Sequence, residues 1–147
     1  MFPSESYPFC MKIVSLGLIL IAIFSIAACG DDESTASTGL YQYSAYLDST
    51  LVVEGTIQID SLSTQSVTGH WDFHAVGEPR NDIGPQIGTG NLTGSFDGSA
   101  LTINLNPEMA DNNVTLNGIF NANTIRGEWS FSGFAGVISH GTFIAQQ

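Results

Sequence analysis

The stretch "NVTLNGIFNANTIRGEWSF", Asn113 to Phe131, decides the fold. It holds two copies of one form, "LNGIF" at 116–120 and "IRGEW" at 125–129: an aliphatic residue, any residue, Gly, any residue, a large apolar residue. "NAN" at 121–123 separates the copies. Side chains alternate faces along a strand, so the aliphatic, the Gly and the large residue share one face, and polar residues take the other. Two such strands joined by a short Asn-rich turn form a hairpin.

The same form recurs upstream and downstream: "VEGTI" at 53–57, "VTGHW" at 67–71, "LTGSF" at 92–96, and a weaker "SHGTF" at 139–143. The opposite, wet face takes Glu54, Thr56, Thr68, His70, Asp72, Thr93, Ser95, Thr115, Asn117, Arg126 and Glu128. Helical periodicity is missing from Leu40 onward, and eight strands are predicted: 40–47, 51–60, 66–76, 87–96, 100–106, 113–121, 124–132 and 137–146. Turn signals separate them at "DST" 48–50, at Asp97-Gly98, where both residues tolerate positive φ, at 121–123 and at "SGFAG" 132–136. Gly inside a strand weakens it unless the backbone bends there or something packs close. A Gly at one place in six strands therefore predicts a common bend. Short, bent, antiparallel strands close into a barrel, which removes the exposed edges. The expected class is all-β: an eight-stranded antiparallel up-and-down barrel over residues 40–147, following a cleaved signal peptide. This architecture resembles the lipocalin–avidin type of small barrel by strand count and order alone. No family motif accompanies the likeness, so no ligand site is carried over from it.

A membrane-spanning barrel with its dry face outward is the rival shape. Its strands need about 9–11 residues. "ALTINLN" at 100–106 is shorter, and the chain ends "FIAQQ" without the aromatic that usually closes an outer-membrane barrel.

The N-terminal third reads differently. Ile13 to Ala28 is an uncharged apolar run of sixteen residues, preceded by Lys12 and ended by small residues. That is short for a membrane span of about 20 residues and suits the apolar region of an export signal. Residues 1–10, "MFPSESYPFC", carry Glu5 and two prolines ahead of the signal, so Met11 is the expected true start. The run closes on Ile26-Ala27-Ala28-Cys29, which resembles the lipobox of bacterial lipoproteins. The departure from the commonest pattern is Ile26 where Leu is usual. The resemblance implies a diacylglyceryl group on the Cys29 sulfur, cleavage between Ala28 and Cys29, and acylation of the freed amine. Two or more acyl chains hold a protein firmly at a membrane, where one holds it marginally. The division is then 1–28 signal peptide, 29–39 lipidated cysteine and acidic tether, and 40–147 barrel. The implied location is the bacterial cell envelope, anchored at the outer membrane, with the periplasmic and surface faces both open. Asp31, Asp32 and Glu33 just after the cysteine look like the acidic surface-export stretch of some lipoproteins, and equally like a plain solvated tether.

Removing Glu5 and Lys12 with the leader from the chain's 14 acids and three basic residues leaves 13 acids and two arginines, Arg80 and Arg126, a net charge of −11. That argues against nucleic acid and anionic lipid surfaces as partners, since both need a basic patch, and the plain meaning of the charge is solubility. Cys29 is the only cysteine after the leader, so no disulfide is expected.

The sharpest local feature is "GHWDFH", Gly69 to His74, which puts His70, Asp72 and His74 on the wet face of one strand. Residues two apart on a strand stand roughly 6.5–7 Å apart, within reach of one Zn²⁺. Three collinear ligands converge poorly without a neighbour's help, and no Cys or further His cluster supports them, so no metal is assigned. Trp71, Phe73, Phe96, Phe120, Trp129, Phe131 and Phe143 fall on the dry face, as the lining of a pocket for a small apolar ligand or as a filled core. "VGEPRNDIGPQ", 76–86, is the longest loop and stands to cap a barrel mouth, to touch a partner, or to vary freely. No catalytic constellation emerges: Ser139 beside His140 lacks an orienting third group, and "GTGNLTG" at 88–94 has no Lys and no following helix to cradle phosphate. The expectation is a non-enzymatic envelope lipoprotein without a cofactor. Its barrel binds a small apolar ligand or an envelope protein, or else is passive with a filled core.

Overall fold

The computed structural model describes residues 36–78 and 80–147. The signal peptide, Met11, the lipobox, Cys29 and the acids at 31–33 lie outside the described residues. Eight antiparallel strands close into a barrel in simple sequence order: β1 (Gly39–Leu47), β2 (Thr50–Ser63), β3 (Ser66–Ala75), β4 (Gly88–Phe96), β5 (Ala100–Asn104), β6 (Asn113–Asn121), β7 (Thr124–Gly133) and β8 (Gly136–Gln146). The ring shuts where Tyr43 meets Ala145 across β1 and β8. The described residues contain no helix.

The dry face of every strand points inward. Val53, Ile57, Val67, Leu92, Leu116 and Ile125 are buried, while Asp72, Asn117, Arg126 and Glu128 stand exposed outside. That orientation is the reverse of a membrane-spanning barrel. The strand glycines face the same interior, and close approach is what demands them. A Cβ on Gly55, Gly69, Gly94, Gly127 or Gly141 would fall inside contact distance of a carbonyl oxygen on the adjacent strand. The strands curl over one another tightly at these points, as a small barrel requires of its corners.

Three bulges carry the curl further. β2 has bulges beside Ala45 of β1 and between Ile59 and Ser61, so it bends twice along its 14 residues. The β7–β8 pair has a third, beyond Phe131, where Ser139 and Val137 face consecutive β7 residues and Ile138 is the extra one.

The turns differ in chemistry. Leu47 pairs with Thr50, and the two residues between them, Asp48 (φ 48) and Ser49 (φ 71), are both left-handed. Such a turn matches the strand twist and favours Gly at its second place. Ser49→Gly should raise stability by about 0.5–1 kcal/mol, measured as a shift in the urea midpoint at unchanged slope. At Asp97-Gly98, where both residues tolerate positive φ, only Gly98 takes it (φ 105). Asp97 works through its carboxylate instead, which accepts from the backbone N–H of Ala100 at 2.7 Å and of Ser99 at 3.2 Å. Those two donors hold the Asp97 carboxyl below its ordinary pKa.

The two halves of the barrel repeat one arrangement. Trp71 faces Gly90 across β3–β4, and Trp129 faces Gly141 across β7–β8. The Trp71 indole N–H donates to the Leu105 carbonyl at 2.8 Å, and that of Trp129 to the Tyr46 carbonyl at 3.1 Å. In each case a bulky ring fills the space that the opposite Gly leaves, and its polar edge finds a partner on the next strand round or just past its end.

Candidate functional site

Three regions bear on function: the interior, the outer wall of β2–β4, and the loop end.

The seven aromatics read from the sequence all reach the interior and are all buried. They meet there with two residues that the sequence reading left out, Tyr41 and Tyr43. Tyr43 stacks on Phe73 with centroids 4.2 Å apart and lies 5.7 Å from Phe143. Trp71 lies 5.1 Å from Phe73, and Phe120 packs edge-on to Tyr41 and Phe96 at 5.9 and 6.0 Å. These spacings are those of rings in contact rather than of walls around a space. The signal for the tyrosines was present in the alternation of Tyr41, Tyr43 and Ala45 with Gln42 and Ser44.

The 76–86 loop does cap one mouth of the barrel. Ile83 and Gln86 are fully buried within it, and Gln86 is a buried polar side chain. Its Nε2 donates to the Ile83 carbonyl at 2.6 Å, and its Oε1 lies 3.5 Å from the Tyr43 hydroxyl. Burial pushes the Tyr43 phenol far above its ordinary pKa, so it stays neutral and is available as a donor. Asn106 ties the loop down through the Pro85 carbonyl at 3.0 Å, and the Ser139 hydroxyl donates to the Asp82 carbonyl. Ser139 is thus a loop clamp, with its neighbour His140 on the opposite face of β8. At the surface Arg80 grips Asp82 through two bonds of 2.8 Å, which lowers the Asp82 pKa. Nothing periodic in the loop marks Ile83 or Gln86 as core.

On the outer wall, His70, Asp72 and His74 lie in a row along β3 but are not brought together. The bulge in β2 aims Asp60 at His70, with Nε2 to Oδ2 at 3.0 Å, and Nδ1 of the same ring lies 3.0 Å from the Asn91 amide oxygen. His74 takes a different acid, Glu54, at 3.9 Å. Asp72 stands between them, opposite Thr56 and Thr89. Each histidine is therefore engaged with its own cross-strand acid. Among the described residues no three His, Cys, Asp or Glu side chains are grouped to hold a metal ion. Two open hollows of about 340 and 380 Å³ flank Asp72 and Thr56 on this wall, one reaching His70 and Asn91, the other His74 and Glu54. They are open, shallow depressions, the first lined in part by Trp71 and Gly90.

The loop end carries the most exposed apolar side chains among the described residues. Phe134, at the tip of the β7–β8 hairpin, is 92% exposed, and Val137 and Ile138 follow at 64% and 56%. No protein-family model matches the sequence, and neither a characterised protein nor a solved structure is significantly similar to it.

Proposed function

We propose that this chain is a lipid-anchored protein of the bacterial cell envelope whose barrel works from its outside, by contact with a partner, rather than by holding a ligand within. The anchor rests on the lipobox-like Ile26-Ala27-Ala28-Cys29 at the end of an export signal. The outward-working barrel rests on one observation: the interior is taken up by stacked rings, with Ile83 and Gln86 set into its mouth. A small apolar ligand would have to displace side chains that already contact one another. The filled, passive barrel shares this interior; the exposed Phe134 hairpin favours the partner reading over it.

Two measurements test the proposal. Intact-mass analysis of the protein from a bacterial membrane fraction should find an N-terminal Cys29 carrying two or three acyl chains. A free Cys29, or a chain retaining Met11, would end the anchored reading. Small apolar probes should leave the emission of Trp71 and Trp129 unchanged. A saturable shift by any probe would restore the internal pocket.

A further inference from the structure

The β7–β8 hairpin ends, at the loop end of the barrel, in three exposed apolar side chains. The bulge at Ile138 breaks the inward–outward alternation there. Ile138 consequently lies against Gly133, close to Asp111 and Asn112, and both it and Val137 are exposed. Phe134 at the tip is almost wholly exposed. A turn needs none of these residues: the tight Gly133–Gly136 link would close with polar residues between the glycines. Exposed aromatic and branched side chains massed on one projecting element mark a contact surface.

The charges around the tip decide what covers it. The same end of the barrel carries the β1–β2 turn, the 76–87 loop and the 105–112 loop. These bring Asp48, Glu78, Asp82, Glu108 and Asp111, against a single base, Arg80, already held by Asp82. The opposite end, where the chain comes into β1 at Gly39, has Asp97 in its turns, and its exposed apolar residues, Leu40 and Ile119, lie within strands rather than at a hairpin tip. An acidic rim repels anionic lipid and also a second copy of a chain with net charge −11. It attracts a basic surface.

We infer that the Phe134 hairpin and the acidic loops beside it form a docking surface for a basic, apolar-faced segment of another polypeptide, in which Phe134 is the anchor and the acids set orientation and partner choice. The inference rests on the outward-working reading above and deepens it by naming the surface and the partner's chemistry. Aromatic side chains seated in a partner's pocket carry most of the binding at such contacts, and rim charges steer encounter and make it salt-dependent.

The test uses the full chain in neutral detergent with a dye-labelled amphipathic lysine–leucine peptide as the probe, and its glutamine–leucine counterpart as control. The lysine peptide should bind more tightly than the glutamine one, and less tightly as salt rises. Phe134→Ser should weaken it by about tenfold or more. Asp48→Asn, Glu108→Gln and Asp111→Asn together should weaken it and flatten its salt dependence. Ile119→Ser, an exposed apolar residue near the other end of the barrel, should change nothing. Equal binding of both peptides, or indifference to Phe134→Ser, would overturn the inference. So would a Phe134-dependent dimer in sedimentation or Phe134-dependent flotation with phosphatidylglycerol vesicles, since each names a different occupant. The two readings fail separately. An internal pocket found by the apolar probes removes the outward-working reading while leaving a Phe134-dependent peptide in place. A silent interior with no such peptide removes only this inference.

Discussion

Trp129→Ala should destabilise the barrel by about 3–5 kcal/mol, the range for removing a large aromatic from a packed core. Three losses combine. The ring is wholly buried, so its removal opens a hole among side chains that cannot collapse far within a closed sheet. The Tyr46 carbonyl loses the indole donor at 3.1 Å. Gly141, which has no side chain of its own, loses the ring that covers it. Urea unfolding followed by far-UV circular dichroism measures the effect, with the slope checked for constancy so that the change belongs to the folded state. Such a loss is a large share of the roughly 5–15 kcal/mol that holds a typical domain together. A loss below about 1 kcal/mol would show that the interior has room to rearrange, and would reopen the question of a pocket.

Gly127→Ala is expected to cost at least about 1–3 kcal/mol, the usual penalty for overfilling a core, and to exceed the cost of Gly118→Ala. The difference lies in what the added methyl meets. At Gly127 it meets the Asn117 carbonyl and the Gly118 Cα, which are backbone and can yield only if β6 and β7 part. At Gly118 its nearest neighbours are Ile125 Cγ2 and Phe143 Cζ, both at 2.9 Å, and side-chain ends shift more cheaply than a strand pair. Thermal or urea unfolding of the two variants side by side reads the order. If Gly127→Ala were tolerated while Gly118→Ala was not, the glycine would be lining space rather than admitting a neighbouring strand.

Most of the barrel was legible from the chain. The period-2 alternation of Leu116, Gly118 and Phe120 against Asn117 and Ile119 assigns faces, because a strand can bury only one set of alternate residues against a core. The recurring Gly placed the tight points of the sheet, and all eight expected strands are present, though β2 runs on to Ser63 and β5 stops at Asn104. Less was legible wherever a residue's role depends on a neighbour distant in sequence. Asp60 reaches His70 because a bulge, invisible in composition, re-aims it. His74 has its own acid, Glu54, so the collinear trio is split, with each histidine facing a different acid and Asp72 standing between them. Ile83 and Gln86 belong to the core only because the loop bends into the mouth.

The sequence by itself determined the all-β class, the number and order of the strands, the inward face of most of them and the acidic character of the whole, since these follow from local period, turn chemistry and charge. Only the tertiary structure decided that the rings touch one another rather than surround a space. It also decided that the strand glycines answer to a neighbour's carbonyl, and that Phe134 stands uncovered at an acidic end. Each of those facts is a distance between residues far apart in the chain, and closure of the ring sets such distances all at once.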